Sequence, residues 1–143
     1  MCNSNDQNTM RLLIFAIPFL FLTSCSTPKF TILDSGLKYK ILKKGKGEVA
    51  KAGNEVLIHE KMSYPNDSLL FSSYSLSGPI KFRIGANQVI DGVDQGVRGM
   101  KKGEIRKLIV PPFLSKRMGN QTFPHPDSTL VYEVELIDIL SDK

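Results

Sequence analysis

The spacing of hydrophobic positions changes several times along the chain, and each change predicts an element. Residues 12–22 (LLIFAIPFLFL) form an uncharged apolar run. Residues 37–42 (LKYKIL) alternate apolar and basic side chains, as a half-buried strand does. Residues 55–63 read as a second strand. After the turn-forming Pro65, Asn66, Asp67 and Ser68, residues 69–71 resume extended chain. Residues 79–84 alternate, with Ile80, Phe82 and Ile84 on one face. The period then switches. Val89, Ile90, Val93 and Val97 recur every three to four residues, which predicts a short amphipathic helix over 87–97, weakened by Gly92 and Gly96. Residues 103–110 predict a strand that ends at Pro111 and Pro112. Residues 129–140 give the clearest strand, with Leu130, Tyr132, Val134 and Leu136 on one side and Glu133 and Glu135 on the other. The Lys- and Gly-rich segment 43–53 reads as a loop. So does 113–127, which is long enough to suggest a functional role. Together these elements predict an α+β domain: an antiparallel sheet of about five strands wrapped on one short helix.

The apolar run at 12–22 is too short to span a bilayer, which takes roughly 20 apolar residues. It suits the core of a secretory signal, with Arg11 before it. Met10 makes a more natural start than Met1, because the polar residues 1–9 include Asp6. The run ends in Leu22, Thr23, Ser24 and Cys25, which resembles a bacterial lipobox: an aliphatic residue, two small ones, then the cysteine that carries lipid. The expected organisation is therefore a signal peptide at 1–24, a lipidated Cys25 with a tether at 25–34, and a folded domain at 35–143. An ordinary signal cut near Ser26 is the other reading. Acyl chains on Cys25 would hold the domain at a membrane. Ser26 after the cysteine points to the outer membrane of a bacterial envelope, facing the periplasm.

Composition narrows the field. The chain has 143 residues, enough for about one domain. Its two cysteines exclude a disulfide-dense scaffold and a four-cysteine zinc site. The net charge of +5 is too modest to make nucleic acid the expected partner. Lys40, Lys43, Lys44, Lys46 and Lys51 fit a solvated loop, or a contact with anionic lipid or an acidic partner. His59 and His125 are too far apart to read as a metal pair. His59 fits a strand face and His125 a loop. No Ser-His-Asp arrangement or phosphate loop is present.

The segment 85–97, GANQVIDGVDQGV, carries the most specific pattern. It resembles G-x-x-x-V-I-x-G-[WLV]-x-x-G-[VL] of the FKBP-type peptidyl-prolyl isomerases. Other landmarks of that family follow in order: residues 35–39 as its first strand, 56–59 as its V-x-H-Y strand, Phe71, Ser72 and Ser73 as F-D-S-S, Met100 to Gly103 with 107–112 as M-x-x-G-x-x-x-x-L-x-I-P-P, and 128–136 as its last strand. The resemblance covers 35–140. It implies an isomerase of X–Pro bonds that needs no cofactor or metal and takes proline-containing polypeptides as substrate.

The resemblance also assigns roles. The backbone N–H of Ile90 would receive the substrate carbonyl, and Val89 precedes it in the V-I pair. Phe71 would line the proline pocket. Tyr132 stands where the family usually has Phe. Val93 lies at the pocket floor where Trp is common, Ile80 replaces another usual Phe, and Phe82 fits core or pocket. The polar positions depart further. Glu60 stands in place of Tyr, Ser72 in place of Asp, and Lys116, by counting, in place of the tyrosine that follows the Pro-Pro run. These replacements imply turnover below that of a full-pocket relative. Val89, Ile90, Val93 and Phe82 would also be apolar simply to pack the helix on the sheet. Burial of Tyr132 requires a partner for its hydroxyl, in core or pocket. The two functional expectations are an envelope isomerase that assists folding of secreted or envelope proteins, and a non-catalytic binding or chaperone module at the membrane. A monomer is expected in either case.

Overall fold

The computed structural model describes residues 29–116 and 124–140. Nine strands, one α-helix and one 3-10 turn follow each other: β1 Thr31–Ile32, β2 Lys38–Lys43, β3 Lys46–Val49, β4 Glu55–Ser63, β5 Leu69–Ser72, β6 Ile80–Arg83, α1 Asp91–Val97, β7 Lys101–Lys102, β8 Ile105–Val110, the 3-10 turn Pro112–Leu114 and β9 Leu130–Leu140. The main sheet runs β1-β2-β8-β9-β4-β5. All its pairs are antiparallel. β5 and β6 share one edge of β4: β6 pairs with its first half and β5 with its end. The expected strands are all present in this sheet.

The alternation in the sequence becomes the two faces of the sheet. Along β9, burial alternates strictly from Leu130 to Leu136. One row of register partners crosses the sheet through Tyr39, Leu108, Tyr132, Met62 and Phe71. Partners in a row share a face, so this row forms part of the floor on which α1 lies. The floor continues through Ile58 opposite Ile80 and Leu136, and Val56 opposite Phe82.

Gly92 and Gly96 do more than weaken the helix. A Cβ on Gly92 would collide with the Val110 side chain, and one on Gly96 with Leu108. Their absence of a side chain lets the α1 backbone rest directly on β8. The C-terminal end of α1 is then held by Arg106. Its Nη1 donates to the carbonyls of Gly96 at 3.1 Å and Arg98 at 3.0 Å, and its Nε donates to Glu104 Oε1 at 2.6 Å. These are carbonyls that a helix terminus leaves unpaired.

Two expectations are corrected. The helix begins at Asp91, not Asn87. Asn87 adopts φ 55°, and Ile90 is extended at φ −63°, ψ 150°, so 87–90 form a turn leading into the helix. The segment 43–53 is not only loop. It contains β3, which pairs with β7 in a separate two-stranded ribbon, Lys46 opposite Lys102 and Val49 opposite Lys101. β1 also forms at the tether end of the chain, Thr31 opposite Tyr39.

Candidate active site

The apolar residues singled out from the sequence belong to one contiguous core cluster, with Ile90, Val93, Phe82 and Tyr132 buried in it and Val89, Phe71 and Ile80 packed against it. Ile90 caps the helix, and its carbonyl accepts the N–H groups of Val93 at 3.1 Å and Asp94 at 3.0 Å. Ile90 and Val93 are buried, and Val89 is half-buried beside them. The Phe71, Met62 and Tyr132 row of the sheet belongs to the same cluster. Phe71 and Ile80 are half-buried and packed against the core. Phe82 and Val93 lie beneath this surface, at 2% and 1% exposure.

Tyr132 is 2% exposed. Its hydroxyl donates to Met62 Sδ at 3.0 Å. The partner required for a buried phenol is thus a core methionine on the neighbouring strand, and the ring takes the place of phenylalanine without leaving its hydroxyl stranded.

The turn that presents Val89 and Ile90 is fixed by side chains that sequence reasoning missed. Asp94, buried on α1, accepts the Gly85 N–H through Oδ1 at 2.6 Å. Its Oδ2 accepts from Arg98 Nε at 3.1 Å and Nη2 at 2.5 Å. Gln88 Oε1 accepts the Arg83 N–H at 2.7 Å and closes the turn onto β6. The signal for Asp94 was available: it sits four residues after Ile90 and four before Arg98, spacing that makes helical neighbours.

The replaced polar positions are dispersed. Glu60 is buried on β4 opposite Val134, and its N–H donates to Ser73 Oγ at 2.9 Å. Ser72 is buried at the end of β5 opposite Lys61, and its carbonyl accepts the N–H of Leu76 at 3.1 Å. Lys116 is exposed just past the 3-10 turn. Cys25 lies outside the described residues. On the outer face of β4, His59 stacks on Tyr74 with ring centroids 4.1 Å apart, and its Nδ1 is 2.9 Å from Ser73 Oγ. It is a sheet-surface histidine. A polar cleft of about 540 Å³ opens along α1 and the β1–β2 turn, lined by Tyr39, Gln95, Arg98 and Arg106 among others. None of the residues singled out for the proline site lines it.

The family description "FKBP-type peptidyl-prolyl cis-trans isomerase" matches residues 46–137, which contain β3 to β8, α1 and most of β9. The chain belongs to this family. FK506-binding protein 1 of Dictyostelium discoideum is 39% identical over 104 residues, spanning 71% of this chain and 96% of that protein. FK506-binding protein 2 of Yarrowia lipolytica is 33% identical over 137 residues, covering 92% of this chain and 94% of that one. The FKBP-type peptidyl-prolyl cis-trans isomerase FkpA of Escherichia coli K12 is 34% identical over 106 residues, 74% of this chain but 38% of the longer relative. Its crystal structure matches with a TM-score of 0.68, 33% identity and coverage of 80% of this chain and 53% of that one. The crystal structure of AtFKBP13 matches with a TM-score of 0.67 and 30% identity, over 78% of this chain and 99% of that one. As an FKBP-type domain, the chain is a peptidyl-prolyl cis-trans isomerase, and the family acts on proline-containing polypeptides.

Proposed function

We propose that this isomerase works at a bacterial cell envelope, tethered through lipid on Cys25, and accelerates proline isomerisation in secreted or envelope proteins. The lipobox-like Leu22, Thr23, Ser24 and Cys25 after a short apolar run support the location. The observation that carries the chemistry is an extended Ile90 at the head of α1, in one core cluster with the apolar Phe71, Met62 and Tyr132 row.

An X–Pro bond favours trans by only about 0.5–1 kcal/mol, yet interconverts in tens to hundreds of seconds. The barrier is amide resonance. A catalyst has to favour the twisted amide, which has lost conjugation and carries less charge separation. Apolar walls at Phe71, Val89, Ile80 and Tyr132 exclude water from such an amide. The Ile90 N–H, fixed in direction by the Asp94 and Gln88 hydrogen bonds around its turn, serves as the donor to the rotating carbonyl. No covalent step is involved.

Turnover is lower than in a relative with the full polar set. Lys116 offers a mobile, strongly hydrated ammonium in place of a phenol, and Val93 provides less aromatic surface than Trp. A Lys116→Tyr variant tests this: it raises the rate on X–Pro peptides, and an unchanged rate contradicts the account of Lys116. The anchor is tested separately by palmitate labelling in a bacterial host. Label is expected on the wild-type chain and not on Cys25→Ser; equal labelling of the two rejects the anchor.

A further inference from the structure

We infer that the β3–β7 ribbon is a docking face for anionic phospholipid, set at the opposite end of α1 from the proline site. The face is built from the lysines. Lys43, Lys44, Lys46, Lys51, Lys101 and Lys102 are all exposed. Register places Lys46 directly opposite Lys102. Gly45 brings the two runs together: a Cβ there would stand 2.5 Å from the Lys101 carbonyl oxygen and 2.7 Å from that of Lys102. Like charges directly opposite weaken a strand pair, and a negatively charged surface relieves that repulsion. Asp138 on β9 offsets part of it, 2.9 Å from Lys102, and Glu48 is the acid on the ribbon strands themselves.

Exposed apolar side chains lie on the ribbon at Val49 and on the end of β2 that leads into it at Ile41 and Leu42. Ile41, Leu42 and Val49 are 36%, 43% and 37% exposed among these lysines. Basic residues interleaved with apolar ones match the headgroup and upper acyl region of an anionic membrane.

The path of the chain favours lipid over an acidic protein. Lys40 Nζ lies 5.1 Å above the Phe30 ring, so the chain enters the fold beside the Lys40–Lys43 end of β2. Cys25 is four residues before Lys29 and so within about 14 Å of it along extended chain. A membrane holding Cys25 therefore meets this end of the domain. At the helix, Gly92 packs on Val110 and Gly96 on Leu108, and the C-terminal end of α1 runs into the ribbon through the Gly99 N–H to Ala50 carbonyl and Ala50 N–H to Met100 carbonyl bonds, both 2.8 Å. Ile90 is at the other end of α1. Docking by the ribbon turns the proline site away from the membrane toward passing chains.

The test is a lysine acylation footprint, read by mass spectrometry, on the full membrane-extracted chain in two kinds of vesicle. One kind is phosphatidylcholine alone and the other includes phosphatidylglycerol. On the lipid-anchor reading proposed above, on which this inference rests, acyl chains at Cys25 insert in both, so the difference reports the ribbon. Each lysine near an anionic surface favours it by about fivefold. Labelling of Lys43, Lys44, Lys46, Lys51 and Lys101 should therefore fall at least fivefold in phosphatidylglycerol vesicles and recover in high salt, while Lys38 and Lys116 label equally in both. Replacing Lys43, Lys44, Lys46 and Lys101 together by Gln should remove the protection of Lys51 and leave the isomerase rate on short peptides unchanged. Equal labelling in the two vesicles overturns the proposal, as does protection by polyglutamate without protection by phosphatidylglycerol. Neither result bears on the isomerase reading, which the peptide rate tests independently.

Discussion

The Tyr132 hydroxyl donates to Met62 Sδ across the β4–β9 pair at 3.0 Å. The contact gives the hydroxyl a partner within the core at a position where the family usually has phenylalanine. The phenol oxygen turns into the core, and the ring stays in the apolar row. Tyr132→Phe is therefore expected to cost under about 1.5 kcal/mol, the range of one net hydrogen bond, and to leave turnover close to wild type. Met62→Ala removes both the acceptor and core volume, and is expected to cost about 2–5 kcal/mol. Denaturant titration of the two variants checks the ordering. A Tyr132→Phe loss as large as that of Met62→Ala contradicts it.

Gly92 and Gly96 set the distance between α1 and β8. Alanine is preferred to glycine in a helix by about 1 kcal/mol. Here the added methyl meets Val110 or Leu108, and overpacking costs about 1–3 kcal/mol. Both Gly92→Ala and Gly96→Ala are expected to lower Tm. Gly92→Ala, closer to Ile90, should also lower kcat/KM, whereas Gly96→Ala should leave it largely intact. A rise in Tm for either variant contradicts direct backbone packing.

Glu104 and Arg106 form a buried ion pair, with side chains 6% and 7% exposed. Glu104 Oε2 also accepts the Lys101 N–H at 3.1 Å. Removing Glu104 leaves the guanidinium uncompensated against the Tyr39 ring, 4.6 Å away. Glu104→Ala is expected to destabilise by about 3–5 kcal/mol. Thermal and denaturant unfolding measure this directly.

Tyr74 makes one contribution to stability that is lost at alkaline pH. Its hydroxyl donates to Glu135 Oε2 at 2.6 Å. Partial burial of the ring, then that hydrogen bond, then the negative charges of Glu135 and Glu133 disfavour the phenolate and hold the pKa well above the ordinary value of 10.0. The unfolded chain ionises this phenol near 10.0 while the folded chain keeps the proton. Its contribution is complete below pH 10.0 and is lost as pH rises further. Tyr74→Phe is expected to lose less stability than wild type on passing from neutral pH to just above 10.0. An identical pH dependence in the two proteins would show that Tyr74 has no part in it.

Much of this architecture was legible because burial follows sequence period. The strands at 55–63 and 129–140 alternate, and their burial alternates with them. β3 was not legible. Lys46, Gly47, Glu48 and Val49 have no apolar period, and the strand exists only through its partner at Lys101 and Lys102, about fifty residues on. The helix was legible but its start was not, because Val89 and Ile90 carry apolar-stripe spacing in a turn held by the Gln88 and Asp94 side chains. For the candidate site, Val89, Ile90, Phe71 and Tyr132 are named from family spacing. Met62 could not, since a core methionine has no sequence mark that distinguishes a hydroxyl acceptor from filler. Gly92 and Gly96 were visible as helix weakeners, while their packing role depends on Val110 and Leu108 across the interface.

The most direct test of the account is exchange spectroscopy of short X–Pro peptides with the full chain in detergent, comparing wild type with Ile90→Pro and Ile90→Ala. Ile90 already has φ −63°, which proline shares, so Ile90→Pro removes the N–H with little change of backbone. Ile90→Ala trims the side chain and keeps the donor. The account predicts clear acceleration by wild type, partial loss in Ile90→Ala and near-complete loss in folded Ile90→Pro. Acceleration by Ile90→Pro equal to that of Ile90→Ala would contradict the Ile90 N–H as the group that meets the rotating carbonyl.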